Sequence, residues 1–185
     1  LSVLWGDFWS IPEFIDLEKG KKISISGDAL YPALVRVKGG RINDKLTSMK
    51  KELASLLEER TELRRKLREH RPLRDSVNIS IQNVDLASRL ANVNHQLEEK
   101  AAMLVKKNPK EAASAVFIQT YFMHPDDTRE MDELLAVLDP SLKDFYIVQD
   151  LETYSARARR TALGAEAPNF KVKNIYGTPV SLDSF

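Results

Sequence analysis

Chemistry in a protein chain needs a nucleophile, an acid–base pair, a metal cage or a charged cradle. The 185 residues contain no cysteine, which excludes a disulfide framework, a thiolate metal site, an iron–sulfur cluster and a cysteine nucleophile within this sequence. Histidine occurs three times, at His70, His95 and His124, with no H-x-x-x-H or H-E-x-x-H spacing to set two imidazoles on one helix face. The adjacent acids Glu58-Glu59, Glu98-Glu99 and Asp126-Asp127 could supply acid–base carboxylates. Neighbouring residues on a helix point about 100° apart, so none of these pairs forms a dyad by itself. No G-x-S-x-G, Walker-type or Rossmann glycine pattern is present. Gly39-Gly40 could hold an anion at a helix N-terminus; the alternative is a tight strand-to-helix turn with Asn43 or Asp44 supplying capping oxygens. No catalytic, cofactor-binding or metal-binding residue is assigned, and no cofactor is expected.

Charge narrows the partners. The chain carries 28 basic and 27 acidic residues, net +1, whereas a dedicated nucleic-acid-binding domain shows a strong basic excess. Arg60–Arg74 holds seven basic and two acidic residues without an interleaved aromatic, and 126–139 holds six acidic and one basic; both read as solvated surface. No apolar run approaches the ~18 residues of a spanning helix. No signal segment opens the chain, and Leu1 is read as an internal position of a longer protein.

Glycine marks the organisation. Five glycines lie in the first 40 residues and two in the last 22, at Gly164 and Gly177, with none from 41 to 163. So long a stretch without the most permissive residue reads as helical, and Pro72, Pro109, Pro125 and Pro140 cut it into helix-sized pieces. In the head, Phe14, Ile15 and Leu17 precede Glu18-Lys19-Gly20-Lys21, and Ile23 and Ile25 follow, predicting a hairpin. Val35 and Val37 predict a further short strand, and the Trp5, Phe8 and Trp9 cluster needs a surface to pack on. The spacing then predicts a helix from about Ile42 to His70, with a seam of Leu46, Met49, Leu53, Leu56, Leu63 and Leu67 broken by Arg60. A second, from about Val84 to Lys107, carries Leu86, Leu90, Val93, Leu97 and Leu104; residues 71–83 join the two as an antiparallel pair. Three shorter helices are predicted: 109–123 opened by Asn108, Pro109 and Glu111, one from Asp126-Asp127 to about Leu138, and one from Asp139-Pro140 to about Ala162. The expected fold is mainly α, a helical middle (41–163) flanked by short β-hairpin remnants. Residues 1–40 form the C-terminal part of a β-rich domain, and 164–185 a hairpin.

The tail resembles a known family. Gly164, Ala167-Pro168, Phe170, Val172, Asn174, Gly177, Val180-Ser181-Leu182 and Phe185 stand in the order and spacing G-x-x-A-P-x-F-x-(L/V)-x-(D/N)-x-x-G-x-x-V-S-L-x-x-F. That is similar to the opening of TlpA/ResA-like (AhpC/TSA-type) thioredoxin domains. Residues 14–162 are similar to the region before such domains in a group of bacterial cell-envelope proteins: Phe14–Asp28 as the end of a β-rich domain of undefined function, Gly40-Arg41-Ile42-Asn43 as a Gly-x-x-Asn entry to a long helix, and Asp139-Pro140-Ser141-Leu142-Lys143 as the helix before the hairpin. The resemblance implies a thioredoxin-like domain truncated before its redox-active C-x-x-C. The parent would be a periplasmic thiol–disulfide oxidoreductase acting on protein substrates through a mixed disulfide. Because this chain holds no cysteine, no catalytic residue carries over. The function implied for the chain itself is that of an accessory region that positions substrates or mediates association.

Two rivals stand beside it. A structural helical hairpin could form a homodimer through the 46–67 and 86–104 seams, with Arg60 setting the register; a carboxylate-based hydrolase would need a constellation the sequence does not contain. Partners are therefore expected to be protein substrates of the parent, or a second copy, with no nucleic acid and no membrane span. Without a thiolate, the isolated chain should give no turnover in an insulin-reduction assay; turnover above a buffer control would refute the assignment.

Overall fold

The computed structural model describes residues 4–5, 8–9, 14–28, 30–69, 77–125, 127–160, 164–165 and 169–182, and the fold is mainly α. The glycine-free stretch forms α1 (Arg41–Glu52), α2 (Ala54–Glu69), α3 (Val77–Lys107), α4 (Ala112–Phe122), α5 (Arg129–Val137) and α6 (Tyr146–Arg160). Three two-stranded antiparallel sheets flank it: β1 (Leu4–Trp5) with β2 (Phe8–Trp9), β3 (Ser24–Ser26) with β4 (Arg36–Lys38), and β5 (Lys171–Lys173) with β6 (Pro179–Ser181).

The core is organised around α4. Its sequence, Ala-Ala-Ser-Ala-Val-Phe-Ile-Gln-Thr-Tyr-Phe, is apolar on every side, the pattern of a helix enclosed by others. Residues 112–118 are all buried, and α1, α3, α5 and α6 pack around the helix. Ser114, the polar residue among them, donates its hydroxyl to the Asn108 carbonyl at 2.7 Å. The expected antiparallel pair is present as α2 and α3. Leu56, Leu63, Val93, Leu97 and Leu104 join one buried cluster, with Leu86 and Leu90 half-buried against it. Leu57, outside the predicted seam, is buried with them.

The first long helix is two. Leu53 leaves helical geometry (φ −99°, ψ 1°), its N–H bonding to the Lys50 and Lys51 carbonyls. This step lets one apolar row serve two surfaces: Leu46 and Met49 on α1, which packs on β4 and α4, and Leu56 and Leu63 on α2, which packs along α3. α3 begins at Val77 rather than near 84. Asn78, Ser80, Gln82 and Asn83 interrupt the apolar seam without interrupting the backbone. Asn108 caps the end of α3 and not the start of α4: its Nδ2 donates to the Leu104 carbonyl at 2.8 Å, Pro109 and Lys110 form a turn, and Glu111 takes the N-cap position. α5 opens one residue after Thr128, and Asp126 lies outside the described residues. Asp139 accepts the Ser141 N–H but opens a 3₁₀ turn, Pro140–Leu142, so α6 starts only at Tyr146. The predicted end near Ala162 lies outside the described residues, as do the joining residues 71–76 and the side chains of Trp5, Phe8 and Trp9.

The head pairs differently from expectation. β3 bonds to β4, with Ile25 opposite Val37, and not to residues 14–17. Two side chains of α1 explain why. Asn43, fully buried, accepts the Asp16 N–H on Oδ1 at 2.9 Å and donates Nδ2 to the Asp16 and Gly39 carbonyls at 2.8 and 2.7 Å. One turn later, Thr47 Oγ1 accepts the Val37 N–H at 3.1 Å and donates to the Val37 carbonyl at 2.7 Å. The main-chain groups of Asp16 that a strand partner would have taken are thus satisfied by a helix. Tyr31 adds a third tie, donating to Glu62 of α2 at 2.9 Å.

Leu53, fully buried between the two halves of this arrangement, is the sharpest test of it. Leu53→Ala should cost about 2–5 kcal/mol in chemical denaturation. A loss no greater than ~0.5 kcal/mol would place the side chain at the surface.

Candidate functional site

The residue types singled out for chemistry are dispersed. His95 stands 3.5 Å from Glu99, His124 stands 3.8 Å from Glu98 at the end of α4, and His70 lies outside the described residues. Among the described residues no three histidines or carboxylates come close enough to hold a metal ion. Glu58 and Glu59 both face solvent, and Glu59 lies 3.5 Å from Arg89 of α3. Side-chain and backbone hydrogen bonds from Arg129 hold the Asp127 carboxyl at about 2, which leaves it no proton to exchange near neutral pH. At the α1 N-terminus Asp44 accepts the Gly39 N–H at 3.2 Å, and both glycines have positive φ, +102° and +91°. The turn reading of Gly39-Gly40 therefore holds, with the chain's own carboxylate on the free amide. Arg60, the polar break in the seam, is half-buried and pairs with no carboxylate among the described residues. Burial lowers its pKa, opposed by nearby Tyr121 and reinforced by Arg64.

A cleft the sequence did not announce lies between α5 and α6. It has a volume of about 320 Å³ and is lined by Asp132, Leu135 and Ala136 from one helix and Glu152, Ser155, Ala156 and Arg159 from the other. Each helix sets its side chains at i, i+3 and i+4, one face apiece. Arg159 Nη2 donates to Asp132 Oδ2 at 2.6 Å, and Thr128 Oγ1 donates to the same oxygen at 3.1 Å. Burial works to raise the Asp132 carboxyl. The hydrogen bond from Arg159 and the facing hydroxyls of Ser155 and Thr128 outweigh it and hold the group below the usual carboxylate range.

Set against protein-family models, curated proteins and solved structures, the chain matches none.

The cleft's chemistry must therefore be read from its own residues. A serine beside an aspartate suggests a nucleophile, but among the described residues no histidine lines the cleft, and a carboxylate held ionised by an arginine is a poor base. Asp132 was legible only as one of six acids in a solvated run, and the signal that could have found it is the i, i+4 pairing of Thr128 with Asp132 facing Ser155 with Arg159.

A carboxyl with a folded pKa below its unfolded value, about 3.9 for aspartate, stabilises the fold above that value and loses the contribution as pH falls through the folded one. Arg159 is 67% exposed and Asp132 23%, so the pair is worth about 0.5–1 kcal/mol. Arg159→Ala should lose that amount near neutral pH, and its stability should converge on that of the parent chain below about pH 4. Denaturant titrations across pH check this; a gap independent of pH would show that Arg159 does not hold the carboxylate.

Proposed function

We propose that the chain is a non-catalytic accessory region of a TlpA/ResA-like thiol–disulfide oxidoreductase of the bacterial cell envelope. In this reading the helical body positions protein substrates for, or mediates association with, a thioredoxin-like domain that residues 164–185 begin. The observation that carries it is the hairpin of β5 and β6. Its turn is well made: Asn174 Oδ1 accepts the Tyr176 and Thr178 N–H groups, and Gly177 adopts φ +79°. The register sets Val172 opposite Val180, so these two share a face and Lys171, Lys173, Pro179 and Ser181 share the other. Yet no described residue of the hairpin is buried, and Phe170 and Val172 remain 42% and 54% exposed. Two strands alone are marginal in water. An amphipathic hairpin with an uncovered apolar face is what the first element of a larger sheet looks like without its neighbours. Covering that face would gain roughly 1.5–3 kcal/mol for each large side chain buried.

The helical body fits an accessory role, since the described residues present a closed core and no catalytic cluster. The seams that could have served a homodimer are filled by the chain itself: Leu46, Met49, Leu53, Leu56, Leu63, Val93, Leu97 and Leu104 all lie in its own core.

Two measurements test the reading. In a monomer, amides of 170–182 should exchange with solvent far faster than those of 46–63; equal protection would mean that the hairpin belongs to this core. The coding sequence beyond Phe185 should specify a C-x-x-C within roughly 25–40 residues, and its absence would remove the oxidoreductase assignment.

A further inference from the structure

The β3–β4 ladder is closed on one side and open on the other. Thr47 Oγ1 holds both main-chain groups of Val37, so these point at α1 and away from β3. Val37 stands opposite Ile25. In an antiparallel ladder such a pair alternates with hydrogen-bonded ones, which are therefore Ser24 with Lys38 and Ser26 with Arg36. Gly39 agrees with this parity: a Cβ there would collide with the Lys22 carbonyl oxygen, so Lys22 too turns its carbonyl toward the β4 side. The N–H and C=O of Ile25 point the other way, out of the free edge of β3, and have no partner among the described residues. Ser24, Ile25 and Ser26 are all exposed. An open edge is a template for another strand.

The strand that fits best is a second β3. Between the turns Glu18–Lys21 and Asp28–Tyr31 the segment reads Lys22-Ile-Ser-Ile-Ser-Gly-Asp28, alternating apolar and polar, with a cation at one end and an anion at the other. Run antiparallel to a copy of itself about Ile25, it sets Ile25 opposite Ile25. Ser24 then faces Ser26, and Lys22 faces Asp28, each pair occurring twice. The two Ile25 residues exchange both N–H···O=C bonds, which is the pairing that outward-pointing groups require. A lysine on an edge ordinarily deters pairing; here the Asp28 of the other copy neutralises it. No other antiparallel register opposes these two charges. Lys22 makes no ion pair in its own chain, and Asp28 makes none: its Oδ1 accepts the Leu30 N–H at 2.9 Å, which leaves Oδ2 to a neighbour.

We infer that two copies of the chain associate through β3, edge to edge and antiparallel about Ile25, into a four-stranded sheet β4–β3–β3–β4 with two-fold symmetry. So short a contact buries less than the ~1,200 Å² of a stable interface, so the dimer is weak and exchanges readily. It is separate from the leucine seams, which the chain fills itself, and it does not depend on the oxidoreductase reading.

Sedimentation equilibrium of the whole chain should show a reversible dimer with a dissociation constant on the order of 0.1–1 mM. Lys22→Asp and Asp28→Lys each set like charges opposite one another at both ends of the contact, and each alone should weaken the dimer about tenfold or more. An equimolar mixture of the two variants should recover the association, because the mixed dimer again opposes unlike charges at both ends. In the parent chain, the Ile25 amide should exchange rapidly in dilute solution and slow as concentration rises, while Val37, held by Thr47, is protected throughout. A chain that stays monomeric at about 1 mM would overturn the proposal. So would a dimer in which Ile25 gains no protection, a dimer indifferent to both substitutions, or folded variants that fail to recover on mixing.

Discussion

Seven consecutive residues of α4, from Ala112 to Ile118, are buried, and a helical stretch buried on every side obliges each neighbour to bring an apolar surface to it. α1, α3, α5 and α6 meet that demand from different directions. The same demand accounts for the break at Leu53. A straight helix from 41 to 69 would have kept one seam along α3; the step at Leu53 frees α1 to reach α4 and β4 while α2 stays on α3. Arg41 ties the same two helices at the surface, 3.0 Å from Glu111.

The elements carrying an apolar period were legible in the sequence, because the period is the imprint of burial. The leucine rows of α1, α2 and the second half of α3 gave the antiparallel pair and its buried side. What the period could not show is where backbone geometry changes under an unbroken apolar row, as at Leu53, or where a helix begins ahead of its leucine period, as α3 does at Val77. Capping was misjudged for a related reason. Asn108 and Asp139 were assigned to the helices that follow them, but one closes the preceding helix and the other turns a 3₁₀ segment. The head went astray because alternation reports which side chains point the same way, not which backbone completes the pairing.

The candidate site was less legible than the fold. Among the described residues, His95, Glu58 and Glu59 are exposed side chains and Gly39-Gly40 is a turn. The cleft draws on residues 27 positions apart, Asp132 and Arg159, whose relation exists only once α5 and α6 meet. The exposed hairpin behaves in the opposite way. Its turn and its alternation are local and were legible; what covers it is not part of the local pattern.

Asn43 and Thr47 hold the head through the main chain of Asp16 and Val37, touching an N–H and a C=O in each case. Such recognition is indifferent to side-chain identity. The two held positions can be rewritten to almost any residue without loss of the attachment, and the head can diverge in sequence while keeping its course over α1. Proline is the exception: it has no N–H to give, so at 16 or 37 it would remove the bond to Asn43 Oδ1 or Thr47 Oγ1. Val37 must still fill the core, so the freedom is widest at Asp16. There, natural variation among related chains would be expected to look random in chemistry and uniform in one respect, the absence of proline.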